Sequence, residues 1–174
     1  MTTPNQSSQT PATPTATATA TSTLSPDGRD LVITRIIDAP RELVFKAWTD
    51  PEQMAQWWGP RMFTNPVCEL DPRPGGAILI HMRGPDGAVY PMKGTFPEVV
   101  PPERLVMAVR AIEDEQGNSL LEDITTVTFA EHEGKTRLTV HAIVTKAESG
   151  VEGALAGMEQ GWNESLDKLT EHVQ

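Results

Sequence analysis

Apolar residues recur along the chain with two different periods, one of two residues and one of three to four, and the switches between them mark its elements. Residues 31–37 alternate as a strand, which must pair with a strand distant in sequence because helical spacing follows at once. Pro40 suits the first turn of a helix, where its missing N–H costs nothing, and Leu43, Val44, Ala47 and Trp48 then fall on one helical face. Asp50 is placed to cap a second short helix, with Pro51 in the first position, Gln53 three residues after the cap, and Gly59-Pro60 as the stop. Trp57 and Trp58 therefore lie at a helix exit.

After these helices the two-residue period returns, predicting strands over 62–70, 77–82, 89–99, 105–111, 121–129 and 136–145. Turn residues at Gly84-Pro-Asp-Gly87, Gly117-Asn118 and His132-Glu-Gly134 join them, so the connections read as an antiparallel meander. In the last of these strands Leu138, Val140, Ala142 and Val144 share one face while Arg137, Thr139 and His141 share the other, giving a sheet with one dry face and one wet one. Leu155, Met158, Trp162, Leu166, Leu169 and Val173 recur at steps of three and four, predicting one long C-terminal helix that covers the dry face. Gly153, Gly157 and Gly161 interrupt it at a cost of up to about 1 kcal/mol each relative to alanine. Either the first half of that helix frays, or the glycines mark close packing or a cavity beneath them.

Composition separates a tail from a domain. Residues 1–28 are nearly all Thr, Ala, Pro, Ser, Gln and Asn, too polar to offset the entropy of ordering, and are expected to be disordered; residues 29–174 make the folded domain. The start lacks the basic and apolar regions of a secretory signal, and no run approaches the roughly 20 apolar residues that span a bilayer. A formal net charge of −10 without a basic stripe argues against nucleic-acid and anionic-membrane partners. The single cysteine, Cys68, excludes an internal disulfide and fits a reducing cytoplasm; within a strand it reads as a small buried hydrophobe.

Local catalytic motifs are missing. There is no H-E-x-x-H, C-x-x-C, phosphate-binding loop or G-x-S-x-G, so no metal, cofactor or catalytic residue is assigned. His132 and His172 fall in a turn and at the C-terminus, and His81 and His141 on the outer face of their strands. Arg35 breaks the dry alternation of its strand and needs a partner; Glu98, at a strand end, is a candidate to meet Arg35 or Arg73 as a structural ion pair.

The two tryptophan-rich helices, Asp71 to Gly76 (D-P-R-P-G-G), Met82 to Gly87 (M-R-G-P-D-G), Gly94 to Glu98 with Pro102 to Leu105, and Gly161-Trp162 with Leu166 and Leu169 resemble, in that order, the START-like or SRPBCC helix-grip superfamily. Specifically they resemble its branch named after the activator of heat-shock protein 90 ATPase. The resemblance implies an α+β fold, a curved antiparallel sheet wrapped around a long C-terminal helix, with two short helices after the first strand and a cavity between sheet and helix. Alternation then nominates lining residues: Ile80, Met82, Tyr90, Met92, Phe96, Met107 and Phe129, with Trp57 and Phe63 near the mouth and Met158 and Trp162 closing it from the helix. Methionine is adaptable and suits varied apolar partners, although the same residues would also fill an ordinary core. The expected partner is a small apolar or aromatic molecule. Relatives of this kind also serve as co-chaperones, which makes a heat-shock chaperone the alternative partner, or as cyclases and hydrolases, which would need an acid or base pointing into the cavity.

Overall fold

A computed structural model describes residues 20–174. Eight strands, β1 (Ala20–Leu24), β2 (Asp30–Ile37), β3 (Thr64–Leu70), β4 (Ala77–Arg83), β5 (Val89–Val100), β6 (Arg104–Glu113), β7 (Ser119–His132) and β8 (Lys135–Ala147), form one antiparallel sheet. Their order is β1-β2-β8-β7-β6-β5-β4-β3. Strand β2 finds its distant partner in β8, with Ile33 opposite Val140, while β3 to β8 follow one another as a meander. Helices α1 (Arg41–Thr49) and α2 (Pro51–Trp57) fill the β2–β3 connection, and α3 (Glu152–Ala156) and α4 (Met158–Val173) end the chain.

The core lies between the dry face of the sheet, α1, α2 and α4. Leu31, Ile33, Leu105, Met107, Val127, Leu138 and Val140 reach it from the sheet, and Val44, Trp48, Met54, Leu166 and Leu169 from the helices, all without solvent exposure. Fully burying such side chains is worth about 1.5–3 kcal/mol each. Two glycines are fixed by close approach: a Cβ at Gly76 would lie 1.8 Å from the Asp71 carbonyl oxygen, and one at Gly94 2.2 Å from that of Ala108. Both belong to segments that carry the family resemblance.

Several expectations need correction. Ala20–Leu24 is a strand, not part of a disordered tail: its backbone pairs with β2, Ser22 opposite Ile33, although every side chain in it is exposed. Backbone hydrogen bonding to an open sheet edge needs no apolar side chains, so composition gave no sign of it. The rest of the expected tail, 1–19, lies outside the described residues. Leu43 is 48% exposed, and α1 buries Phe45 beside Val44, Ala47 and Trp48 instead. Strand β3 begins at Thr64, because Met62 adopts φ +73° and belongs to the preceding loop. The single long C-terminal helix is divided at Gly157. A Cβ at Gly153 would meet nothing within 4 Å and one at Gly157 only carbonyl oxygens of α3 itself, at 3.5 Å and beyond, which leaves no close packing there to hold the first turn against the sheet, whereas a Cβ at Gly161 would meet Pro60 at 3.5 Å. Finally, Glu98 pairs with Arg104 at 3.1 Å, and Arg73 with Asp71 at 2.7 Å.

Candidate functional site

The register of the strands sorts the inner face into rows. Met107, Thr125 and Ala142 form a fully covered row. The next, toward the end of the sheet where β8 finishes, is Ile78, Gly94, Val109, Asp123 and Val144. Beyond it come Ile80, Met92, Ala111 and Leu121, and then the Met82–Tyr90 pair. Cover thins in the same direction. Ala111, Leu121 and Met82 are only partly buried, and Tyr90 is 45% exposed.

The reason is the course of the chain overhead. Helix α4 is anchored at its C-terminal half by Leu166 and Leu169, and α3 buries no residue at all. Past the end of β8 the chain runs through Val151 into α3, a short helix that has α4 as its main neighbour. Val151 itself is buried and pins the approach to α3.

The candidate lining residues divide accordingly. Trp57, Ile80, Phe96, Met107, Phe129 and Met92 are buried in the core, whereas Met82, Met158 and Trp162 pack against it only partly covered. Phe63 and Tyr90 meet at the open end with ring centroids 6.1 Å apart. Indole packing fixes the helical side: Trp48 lies 4.7 Å from Trp57, 6.2 Å from Trp58 and 6.2 Å from Trp162, and Trp58 lies 5.4 Å from Trp162. Trp57 Nε1 donates to Ala47 O at 3.0 Å, while the buried Trp48 Nε1 has no acceptor among the described residues. The α2 exit is tied down by Asn65 Nδ2, which donates to Ala55 O and Trp58 O, and by Lys168 Nζ, which donates to Trp58 O and Pro60 O. Burial, then repulsion from Arg61, lowers the Lys168 ammonium below its usual range.

Asp123 was not foreseen. It follows Leu121 and precedes Thr125, Val127 and Phe129 on the inward alternation of β7, so a polar residue in an apolar stripe was the available signal. Thr125 Oγ1 donates to its Oδ1 at 3.0 Å, Val109 and Val144 flank it across the strands, and no opposite charge acts on it among the described residues. Burial pushes the carboxyl up to about 6, against a smaller lowering by the Thr125 hydrogen bond.

A recess of about 410 Å³ lies behind this row on the outer face, where Thr95, Ala108 and Ile124 form one bank and Arg110, Glu122 and Thr145 the other. Its floor is formed at Gly94, Val109 and Asp123. A second recess of about 370 Å³ lies by the β6–β7 turn around Asp114, Asn118 and Lys146. Neither lies between sheet and α4. Among the described residues, no three His, Cys, Asp or Glu side chains converge to hold a metal ion.

An antiparallel sheet folded over a C-terminal helix, with two short helices inserted near its start, is the helix-grip arrangement of SRPBCC-type proteins. The chain belongs, over residues 38–174, to the family described as activator of Hsp90 ATPase homolog 1-like protein. Similar solved structures include a protein from Arthrobacter aurescens (25% identity, 90% of this chain and 92% of that one, TM-score 0.75). Another comes from Mycobacterium smegmatis (27%, 88% and 94%, TM-score 0.70). A third is the AHSA1 protein from Silicibacter pomeroyi (26%, 82% and 95%, TM-score 0.68). No functionally curated protein matches the chain.

Proposed function

We propose that the chain binds a small apolar or aromatic molecule on the inner face of its sheet, at the end where α3 and Met158 form the cover. The observation that carries this reading is the contrast between apolar rows that continue to the end of the sheet and a cover that stops short of them. The two outermost sets, Ala111 with Leu121 and Met82 with Tyr90, are left partly open, and displacement of α3 and the Met158 side chain would extend the opening to Met92 and Val109. Little holds α3 in place, so the motion is inexpensive. Phe63, Met82, Tyr90, Met92, Met158 and Trp162 are the side chains expected to touch the ligand, with Ile80, Trp57, Phe96, Met107 and Phe129 as its rigid backing.

Binding is favoured over catalysis because the inward face offers one acid, Asp123, whose recorded partner is Thr125, and no second titratable group in hydrogen-bond reach among the described residues. The family's description supports a second reading, an interaction with a heat-shock chaperone. Lone Cys68 supports a cytoplasmic setting. Native mass spectrometry of the purified chain, followed by a thermal-shift screen with fatty acids, flavonoids and small aromatic acids, tests the carrier reading. A co-purifying mass or a ligand-dependent rise in Tm supports it. An empty protein indifferent to every ligand, yet able to stimulate a chaperone ATPase, would replace it with the second reading.

A further inference from the structure

Asp123 is the feature of the inner face that an apolar carrier does not require. It stands between Val109 and Val144 in a row that is otherwise aliphatic or glycine, and one of its carboxylate oxygens, Oδ2, has no hydrogen-bond partner among the described residues. The carboxylate is partly covered rather than sealed, and Oδ2 is not among the fully enclosed unpartnered atoms, so it is reached from the open end of the sheet. Thr125 orients the group by holding Oδ1, which leaves Oδ2 as a fixed acceptor on the wall of the grip. Placed one row inside the open end, Asp123 can be reached by a ligand whose apolar body rests on Val109, Ala111 and Leu121.

Resting on the binding reading above, we infer that Asp123 Oδ2 is the polar anchor of the site and selects molecules with an apolar body and a hydrogen-bond donor head, a hydroxyl or an amine, over those with a carboxylate head. A donor replaces the water that Oδ2 gives up once a ligand covers it, whereas an anionic head meets a like charge where the ligand leaves little water to screen it. Specificity of this kind exceeds what apolar contact alone supplies, since an acceptor that a ligand covers and leaves unpaired rejects a ligand that lacks the donor.

A matched set of naphthalene, 2-naphthol and 2-naphthoate, titrated at neutral pH by calorimetry or ligand-observed NMR against the wild type, Asp123→Asn and Asp123→Leu, tests the assignment. Binding of 2-naphthol at least about tenfold tighter than either companion, with that preference lost in Asp123→Leu while naphthalene still binds, is the expected result. Asp123→Asn keeps an acceptor and loses the charge, so it should retain the preference for 2-naphthol over naphthalene and admit 2-naphthoate. Equal binding of the three by the wild type, or a 2-naphthol preference that survives Asp123→Leu, overturns the anchor and leaves apolar binding standing. Failure of all three to bind a wild type that is folded by circular dichroism overturns both.

Discussion

Arg35 Nη1 donates to Asp167 Oδ1 at 2.6 Å, joining the one charged inward position of β2 to the middle of α4. Arg35 Nη2 adds bonds to the Asn163 side chain and carbonyl, and the buried Nε has no partner among the described residues. The Arg35 side chain is 14% exposed and Asp167 is 45% exposed, so the pair straddles the edge of the core.

The two sides of this pair should respond unequally to mutation. Asp167→Ala leaves a guanidinium covered and short of acceptors, and is expected to lower stability by about 1–2 kcal/mol, discounted from the fully buried case because Asp167 is half in water. Arg35→Met removes the covered charge along with its orphaned Nε and keeps the packing, and should be close to neutral. Urea unfolding of both variants checks the asymmetry; a costly Arg35→Met with a harmless Asp167→Ala would show that the arginine is held by contacts other than this pair.

How these residues were readable differs from case to case. The need of Arg35 for a partner was evident from its place in a dry stripe, but its partner was not, because pairing depends on which turn of α4 crosses β2. Strand periods, the order of the meander and the Asp50 cap, which accepts from Glu52 N at 3.0 Å, followed from local chemistry. β1 was hidden because the pairing that makes it a strand is made by backbone, its side chains adding only the Ser22 contacts to Glu159 and Asn163, and the break at Gly157 because a stripe of side chains continues across it. The candidate lining was legible as an apolar face; which of its residues are deep and which are open depends on where the cover stops, a long-range property that no local period encodes.

Asp123 makes stability depend on pH in a direction opposite to that of an ion-paired carboxylate. Its carboxyl is raised from an ordinary 3.8 to about 6 when folded, so the folded state holds the proton more tightly and loses stability relative to the unfolded chain as pH rises through that interval. Asp123→Asn keeps the acceptor for Thr125 and removes the ionisation. The variant should be more stable than the wild type by about 1–3 kcal/mol above pH 6, with the advantage shrinking as pH falls and gone below about pH 4. Thermal denaturation of both proteins across that range measures it; an advantage independent of pH would mean that Asp123 stays as acidic as an exposed carboxylate.

Cys68 should be chemically quiet in the folded protein. Burial, with a smaller contribution from the Asp50 charge, pushes its thiol up to about 11, and it lies partly covered on β3 against the core. At pH 8 the reactive thiolate is then about a thousandth of the population. A colourimetric thiol reagent is expected to label the denatured chain within its ordinary time and the native chain far more slowly, with the native rate tracking unfolding. Rapid native labelling would place Cys68 at an opening that the packing of β3 does not provide.

The glycines of the C-terminal segment allow the cover itself to be tested. A Cβ at Gly153 meets nothing within 4 Å and one at Gly157 meets the Gly153 carbonyl oxygen only at 3.5 Å, so alanine fits at both positions without strain. Each substitution should add about 0.5–1 kcal/mol by restricting the unfolded chain and favouring helix, and together they should bridge α3 and α4 into a stiffer unit. If ligands pass beneath α3, the double variant Gly153→Ala, Gly157→Ala should show a higher Tm together with slower ligand release, measured by stopped-flow displacement of a bound fluorescent aromatic. The two readouts separate the possibilities, because a general gain in stability raises Tm without touching the release rate. Unchanged release in a stabilised variant would move the entrance away from α3 to the Phe63–Tyr90 side of the opening.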